Sequence, residues 1–214
     1  TVPVYTVLLD ALRKEQLSNV KLLTALKTMP PVIDYLMKDG AQIDGFIAPG
    51  HVSVITGSRH FDALAEKYEI PFAVTGFSPS ELVLGIYGLL RMYETKEYEA
   101  KNFYTSVVTP EGNQKAQEKI ATYFESNTAV WRGIGAIPDS GLYLRKEYAA
   151  FDAGSFGLNE DKKINAACRC SDVLKGRITS EECPLFKKVC TPLTPQGACM
   201  VSAEGSCAQR YSIC

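Results

Sequence analysis

The first 167 residues of this 214-residue chain contain no cysteine, although the whole chain has seven. Surplus charge is missing as well, since 23 Lys and Arg stand against 24 Asp and Glu and give a formal net charge of −1. Binding to nucleic acid or to an anionic membrane would need clustered Lys and Arg, so neither is expected. The longest apolar run, residues 82–90, falls far short of the roughly 20 residues that cross a bilayer. No transmembrane helix is expected.

Short β-branched runs alternate with longer amphipathic stretches through most of the chain. Such alternation predicts right-handed crossovers and a mostly parallel sheet with helices on both faces. We therefore predict an α/β domain over residues 1–150. The predicted strands are Val20–Leu26, Ile43–Ala48, Pro71–Thr75, Phe103–Val108 and Ala129–Ile134. The predicted helices are Tyr5–Glu15, Pro31–Lys38, Arg59–Tyr68, Pro79–Tyr93 and Glu111–Phe124.

The segment Ser78-Pro79-Ser80-Glu81 predicts a helix start. The serine before the helix can cap an orphan amide, proline suits the first helical position, and the glutamate can reach back to complete a capping box. The helix that follows has apolar residues at the spacing of a core-facing side. The residues expected to pack in the core are Leu82, Ile86, Leu89, Leu90 and Tyr93.

The cysteines all lie near the C-terminal end, at Cys168, Cys170, Cys183, Cys190, Cys199, Cys207 and Cys214. Prolines and glycines separate them, so we assign residues 151–214 to a linker followed by a small irregular cysteine-rich region. One interpretation is a disulfide framework. Such frameworks suit small secreted domains, whereas these cysteines follow a cysteine-free α/β domain without a visible export signal.

The cysteines of this region could also bind zinc or an iron–sulfur cluster. Zinc ribbons usually carry two Cys-x-x-Cys knuckles, which are missing here, although four scattered thiolates can still form a tetrahedron. A [4Fe-4S] cluster binds one thiolate per iron and accepts wide spacing when its sulfurs are shielded and receive backbone hydrogen bonds. Seven cysteines exceed the four that a cluster needs, which leaves some for a redox-active disulfide.

Ordered motifs over almost the whole chain resemble those of HypD, a family of [NiFe]-hydrogenase maturation proteins. In the cysteine-rich region they are Cys168-Arg169-Cys170, Val173-Leu174-Lys175-Gly176, Cys183, Cys190-Thr191-Pro192, Gly197-Ala198-Cys199-Met200-Val201-Ser202 and Glu204-Gly205-Ser206-Cys207. In the α/β region they are Asp44-Gly45-Phe46, Pro49-Gly50-His51-Val52-Ser53, Gly76-Phe77, Gly112-Asn113, Trp131-Arg132-Gly133-Ile134-Gly135, Ile137-Pro138-Asp139-Ser140-Gly141-Leu142 and Phe151-Asp152-Ala153.

The resemblance implies a maturation scaffold rather than a conventional enzyme. In this family the scaffold works with the small chaperone HypC and the cyanide-donating protein HypE, and an Fe(CN)2CO unit for the hydrogenase active site is assembled on it. A [4Fe-4S] cluster and thiols are proposed to pass electrons toward the assembly cleft. A cytoplasmic location is expected, since no export signal is visible.

The resemblance also implies roles for the cysteines. Cys168, Cys183, Cys190 and Cys207 are the implied ligands of the cluster. Cys170 and Cys199 are the implied redox pair, in surroundings similar to those of ferredoxin:thioredoxin reductase, where a cluster lies beside a redox disulfide. Cys214 is expected to be a spare.

His51 follows the predicted strand Ile43–Ala48, at the edge where open α/β sheets bind ligands. One interpretation is a histidine bonded to its own loop. The resemblance instead implies a role in the iron-assembly cleft, as a ligand or proton donor. Trp131 and Arg132 could offer an aromatic platform and a cation to a partner or to a cyanide-bearing intermediate, although a tryptophan at this place also suits the core.

Full-length members of the family carry upstream Cys-Gly-Thr-His and Gly-Pro-Gly-Cys-Pro-Val-Cys motifs, whose cysteines are implicated in holding the iron. This chain contains neither motif. We therefore expect a fragment that comprises the second α/β domain and the cluster region.

Two hypotheses from other classes stay open. The first is a non-redox interaction module whose cysteines bind structural zinc. The second is an enzyme that acts on a small carbonyl substrate at the His51 edge of the sheet. Iron and labile sulfide would favour the maturation scaffold, zinc alone would favour the interaction module, and turnover without any metal would favour the enzyme.

Overall fold

The computed structural model describes residues 1–160 and 165–213. Contacts within the chain divide it into two compact units. Unit 1 comprises Thr1–Leu26, Asp44–Glu125 and Tyr143–Ala153, and unit 2 comprises Lys27–Ile43, Ser126–Leu142 and Gly154–Cys214. Each unit therefore draws on separate stretches of the chain. The sequence predicts two consecutive domains, residues 1–150 and 151–214. This division stays a prediction.

Helices and strands alternate through the first part of the chain. The helices are α1 (Val2–Lys14), α2 (Met29–Lys38), α3 (Gly50–Thr56), α4 (Asp62–Tyr68), α5 (Pro79–Thr95), α6 (Gln114–Tyr123), α7 (Cys170–Leu174), α8 (Ala198–Val201) and α9 (Ser206–Ile213). The strands are β1 (Phe46–Pro49), β2 (Phe72–Thr75), β3 (Ala100–Asn102), β4 (Phe124–Trp131) and β5 (Gly135–Leu144). Short 3₁₀ helices cover Ser58–Phe61, Lys146–Phe151 and Ser155–Glu160.

A parallel sheet forms the centre of unit 1, with β2 between β1 and β3. Phe46 pairs with Phe72, and Phe72 pairs with Ala100, so the strands are in register at their first residues. Every residue of β2 is buried, as is usual for a parallel strand covered on both faces. The α/β class and the parallel sheet are confirmed for the described residues. The iron–sulfur nature of the cysteine-rich segment stays a prediction.

The strand predicted at Val20–Leu26 is wrong. Within this segment, Leu22 makes an isolated bridge to Asp152, and its N–H donates to the Phe151 carbonyl at 2.7 Å. Composition rich in apolar and β-branched residues favours an extended backbone, but a strand also needs a continuous partner beside it. A bridge at one residue does not supply that partner.

The strand predicted at Phe103–Val108 is also wrong, because β3 ends at Asn102. The Asn102 side chain closes a turn: its Oδ1 accepts the Tyr104 N–H at 2.9 Å, and its Nδ2 donates to the Val108 carbonyl at 2.8 Å. Side-chain bonds of this kind compete with the sheet for backbone groups. The strand predicted at Ala129–Ile134 overlaps β4, which pairs with β5 in a separate two-stranded sheet.

The predicted helices lie at the observed places but differ in extent. The helix predicted at Arg59–Tyr68 divides into a 3₁₀ helix and α4. The helix predicted at Glu111–Phe124 begins later, at Gln114, because the Asn113 Oδ1 caps it by accepting the Ala116 N–H at 3.0 Å. No prediction anticipates α3, which begins directly after β1.

Helix α5 packs inward through its small residues. Gly85 and Gly88 are buried, and a Cβ at either position would overlap the Thr75 or the Phe103 side chain. The backbone of α5 therefore packs directly against the sheet, and large side chains of α5 are not needed at this contact. Three residues expected in the core lie on the exposed side instead, and this prediction is wrong for Ile86, Leu90 and Tyr93.

The predicted capping box at the start of α5 is confirmed. Ser78 Oγ accepts the Glu81 N–H at 3.3 Å, and the Ser78 N–H donates to the Glu81 carboxylate at 2.9 Å.

Replacing the cap, Ser78→Ala, should lower the free energy of unfolding by about 1 kcal/mol in urea titrations. Ser106→Ala, at an exposed turn residue, is the control. Equal losses in both variants would contradict a role for the cap.

Unit 2 brings α2 together with the cysteine-rich region. The Lys175 Nζ lies 2.5 Å from the carboxylate of Asp39, which follows α2, and the Gln42 N–H donates to the Lys175 carbonyl at 2.8 Å. Because Lys175 is buried, its charge needs this partner. Within the part of the chain that the structure describes, no helix is both long enough and apolar enough to cross a membrane.

Candidate functional site

The six described cysteines gather in one core of unit 2. All six are free thiols. Phe186, Met200 and Ala208 are buried in the same core. Cys170, Cys183, Cys190, Cys199 and Cys207 are buried, and Cys168 is partly exposed. The seventh cysteine, Cys214, lies outside the described residues.

Short local elements hold these cysteines in place. Three lie on short helices, namely Cys170 on α7, Cys199 on α8 and Cys207 on α9. Cys183 and Cys190 flank a tight turn, in which the Phe186 N–H donates to the Cys183 carbonyl at 3.0 Å and the Cys190 N–H donates to the Leu185 carbonyl at 2.9 Å. Turns satisfy their own backbone groups locally, so a segment rich in proline and glycine can place separated cysteines side by side.

Cys199 lies between two other thiols. Its Sγ lies 3.1 Å from the Cys207 Sγ and also within reach of the Cys170 thiol, and its single S–H donates to one of these two sulfurs at a time. The bond from Cys199 lowers the pKa of Cys170 to about 7 against the opposing effect of burial, with help from the backbone N–H groups of Cys199 and Ala198 and from the charge of Arg132. The same bond and burial raise the pKa of Cys199. Cys170 is therefore the more acidic of the two thiols.

Cys168 borders the remaining thiols. Burial raises the pKa of the Cys168 thiol, and the nearby thiols of Cys170, Cys183 and Cys190 act in the same direction, whereas the Cys170 N–H lowers the pKa. Several thiolates so close together would repel each other. A cation that binds them would remove this repulsion.

Backbone amides point at two of the sulfurs. The Cys199 N–H donates to the Cys170 Sγ at 3.3 Å, and the Gln196 N–H donates to the Cys190 Sγ at 3.4 Å. Amide donors stabilise negative charge on sulfur, and they accompany thiolate sulfur in iron–sulfur proteins.

The donor set fits the cluster that the sequence predicts. Of the predicted ligands, Cys183, Cys190 and Cys207 belong to the buried core, and Cys168 packs against it. The predicted redox residues, Cys170 and Cys199, are in contact, because the Cys199 N–H donates to the Cys170 Sγ at 3.3 Å. Among the described residues, no three His, Cys, Asp or Glu side chains surround a position for a single metal ion. Ligation and redox activity stay predictions for each of these residues.

His51 belongs to unit 1, whereas the cysteines belong to unit 2. It lies near the start of α3, directly after β1, and its ring centroid is 5.1 Å from that of Phe77. Phe77 in turn follows β2. The predicted position of His51 at the carboxyl edge of the sheet is therefore correct, and its proposed role stays a prediction.

Trp131 and Arg132 both interact with other groups of unit 2. The Trp131 Nε1–H donates to the Ser140 Oγ at 2.8 Å, and Lys27 lies over the indole ring. The Trp131 ring is thus held by its own unit, while the charge of Arg132 acts on Cys170.

Sequence reasoning missed the importance of Gly197. A Cβ at this position would lie 2.5 Å from the Cys168 Sγ and 2.9 Å from the Cys170 Cβ. Only glycine lets this backbone pass so close to the sulfurs. Its position two residues before Cys199 in a cysteine-rich motif is the signal that could have identified it.

The parallel sheet of unit 1 and the core of free thiols in unit 2 define an α/β protein with a cysteine-rich region. Comparison with known proteins then identifies the kind of protein. The profile of HypD, described as "Hydrogenase formation hypA family", matches residues 1–213. The chain belongs to the HypD family of hydrogenase maturation factors.

Similar proteins come from an archaeon and from bacteria. A putative hydrogenase expression/formation protein of Methanocaldococcus jannaschii is 39% identical over 216 residues, which cover 99% of this chain and 60% of the relative. Hydrogenase maturation factor HypD1 of Bradyrhizobium diazoefficiens is 42% identical over 81% of this chain and 46% of its own length. The HypD of Escherichia coli is 34% identical over 99% of this chain and 58% of its own length. The chain thus spans about half to three fifths of these relatives.

Proposed function

We propose that this chain is part of a hydrogenase maturation scaffold that binds a [4Fe-4S] cluster through Cys168, Cys183, Cys190 and Cys207. The observation that carries the proposal is the core of five buried cysteines with the partly exposed Cys168 packed against it, all six of them free. Buried thiols without disulfides favour metal binding or redox chemistry over a stapled fold. A bound cluster would supply one-electron transfer.

In this proposal the residues around the cluster shield it and set its charge. Phe186 and Met200 exclude water from the core. The Gln196 N–H, which donates to the Cys190 Sγ, stabilises the charge on one ligand. Shielding from water and amide donors to sulfur are two ways in which proteins set the reduction potential of such clusters.

Cys170 and Cys199 form the second part of the proposal, a redox dithiol beside the cluster. Closing the pair to a disulfide breaks two S–H bonds, forms one S–S bond, and releases two protons and two electrons. The iron unit under assembly is the electron acceptor in this proposal. Cys170, with its pKa lowered to about 7, gives up its proton first, and Cys199 keeps its own until the S–S bond forms.

Membership of the HypD family supports a proposal for the cargo and partners of the scaffold. We propose that an Fe(CN)2CO unit is the substrate, that a HypC-type chaperone and a HypE-type cyanide donor are the partners, and that the complex works in the cytoplasm. His51, at the carboxyl edge of the sheet, is proposed to contact this substrate. These activities belong to the whole maturation protein, of which the chain spans about three fifths in the relative from Methanocaldococcus jannaschii.

Anaerobic purification followed by iron, sulfide and zinc analysis tests the proposal. We expect about four irons and four labile sulfides per chain, with broad visible absorption that bleaches on reduction. Zinc without iron or labile sulfide would contradict the cluster and support a structural zinc module. Iron without labile sulfide would contradict the cluster as well.

A further inference from the structure

Cys199 contacts two other thiols of unit 2. Its Sγ lies 3.1 Å from the Cys207 Sγ, and its backbone N–H donates to the Cys170 Sγ at 3.3 Å. All three residues are buried and their thiols are free. The proposed function assigns Cys170 and Cys199 to a dithiol and Cys207 to the cluster. The contact between Cys199 and Cys207 has no role in that function.

The contact between Cys199 and Cys207 suits a disulfide. A disulfide joins two sulfurs at about 2.05 Å, so the two sulfurs need to approach by roughly 1 Å. Cys199 lies on α8 and Cys207 on α9. The turn between these helices packs against Cys199, because a Cβ at Gly205 would overlap the Cys199 carbonyl oxygen. The two short helices therefore lie side by side and keep their sulfurs within reach of each other.

We propose that Cys170, Cys199 and Cys207 form a three-thiol site, in which Cys199 closes a disulfide with either of the other two. While Cys207 ligates iron, its sulfur is not available to Cys199, so the Cys199–Cys207 bond belongs to the cluster-free chain. The same bond keeps Cys207 from ligating iron, because a ligand must be a thiolate. Cluster binding and this disulfide thus compete for one sulfur. The inference rests on the proposed function for the role of Cys207.

A small peroxide is the oxidant that suits these buried thiols. Hydrogen peroxide converts the first thiol to a sulfenic acid with release of one water, and the sulfenic acid condenses with the second thiol to give the S–S bond and a second water. One peroxide thus takes two electrons from two thiols. The bond then moves without further oxidation: the Cys170 thiolate attacks Cys199, the Cys170–Cys199 bond forms, and Cys207 leaves as a thiolate.

Disulfide mapping of the complete, cluster-free chain tests the three-thiol site. After about one equivalent of hydrogen peroxide, we expect both the Cys170–Cys199 and the Cys199–Cys207 bonds in the unmodified chain. Cys170→Ala should still form the Cys199–Cys207 bond. Cleavage after Glu204 separates Cys199 from Cys207, so mass spectrometry detects their bond as two linked peptides. Cys183→Ala, the control, removes another buried thiol of the same core and should keep both bonds.

Iron and sulfide assays test the competition for Cys207. Peroxide-treated Cys170→Ala should assemble nearly no cluster until dithiothreitol reduces the Cys199–Cys207 bond, whereas untreated Cys170→Ala should assemble the cluster. Cys199→Ala forms neither bond, so it should assemble the cluster with or without the peroxide treatment.

Three results would overturn the proposal. Absence of the Cys199–Cys207 bond from oxidised Cys170→Ala would show that these sulfurs do not join. Full cluster assembly in Cys170→Ala that carries the bond would show that the bond and the cluster do not compete. Equal loss of assembly in treated Cys199→Ala would assign the effect to other cysteines. If the reduced, unmodified chain assembles no cluster, the proposed function fails, and the disulfide map still decides whether Cys199 joins both neighbours.

Discussion

Cys183→Ala is expected to abolish the iron and labile sulfide of anaerobically purified protein, a fall from about four irons per chain to nearly none. Cys183 is 7% exposed and lies within the cysteine core. In such a site an alanine leaves one iron without its thiolate, and the apolar surroundings offer little water to replace it. Iron and sulfide assays, with the visible spectrum, measure the result.

Two controls separate ligation from packing. Cys214→Ala should leave the iron content unchanged, because Cys214 is the predicted spare. Cys170→Ala removes a buried thiol from the same core and opens a similar small cavity, yet it should retain iron, because Cys170 is assigned to the dithiol. Equal iron content in Cys183→Ala and Cys214→Ala would overturn the ligand assignment. Loss of iron in Cys170→Ala would indicate that Cys170, and not Cys168, is the cluster ligand.

The predictable part of the fold is the part in which sequence pattern and burial coincide. The run Pro71–Thr75 is apolar and short, and it forms the buried central strand β2 almost as predicted. The extended segment Val20–Leu26 has a similar composition but no continuous partner strand. Pairing depends on residues far away in the sequence, so composition alone does not distinguish the two segments.

Helix α5 marks a different limit of sequence reasoning. Its large apolar residues have the spacing of a core face, yet Gly85 and Gly88 are on the buried side. Hydrophobic periodicity assigns the inner side to the largest apolar residues. When a helix packs by close backbone contact, its small residues lie on the buried side instead. Hydrophobic periodicity then assigns the buried side wrongly.

The sequence predicts which cysteines lie in the core, but it does not predict how they are arranged. Motif resemblance groups the cysteines by role, and the structure places the six described ones together. The amide donors from Gln196 and Cys199 depend on backbone direction, which no side-chain pattern encodes. The sequence also did not predict that α2 packs with the cysteine-rich region. This contact depends on the Lys175–Asp39 ion pair, which joins distant parts of the sequence.

Gly57→Ala should strongly destabilise unit 1. Gly57 has φ 86° and ψ 157°, a combination that is essentially restricted to glycine and costs other residues about 1–3 kcal/mol. A Cβ there would also overlap the Pro110 carbonyl oxygen and approach the Gly112 nitrogen to 2.9 Å. Because these obstacles are backbone atoms, rotating a side chain cannot relieve them, and overpacking adds about 1–3 kcal/mol.

The expected total loss for Gly57→Ala is about 2–6 kcal/mol, a large part of the roughly 5–15 kcal/mol that stabilises a domain. Urea unfolding measures it, with Gly157→Ala as the matched control, since Gly157 has no positive φ and a Cβ there would meet nothing within 4 Å. The control should change stability by less than about 0.5 kcal/mol. Similar stability of the two variants would mean that the loop after α3 does not pack against Pro110. Because α3 carries His51 at its start and ends directly before Gly57, such a result would also remove the support that holds His51 at the sheet edge.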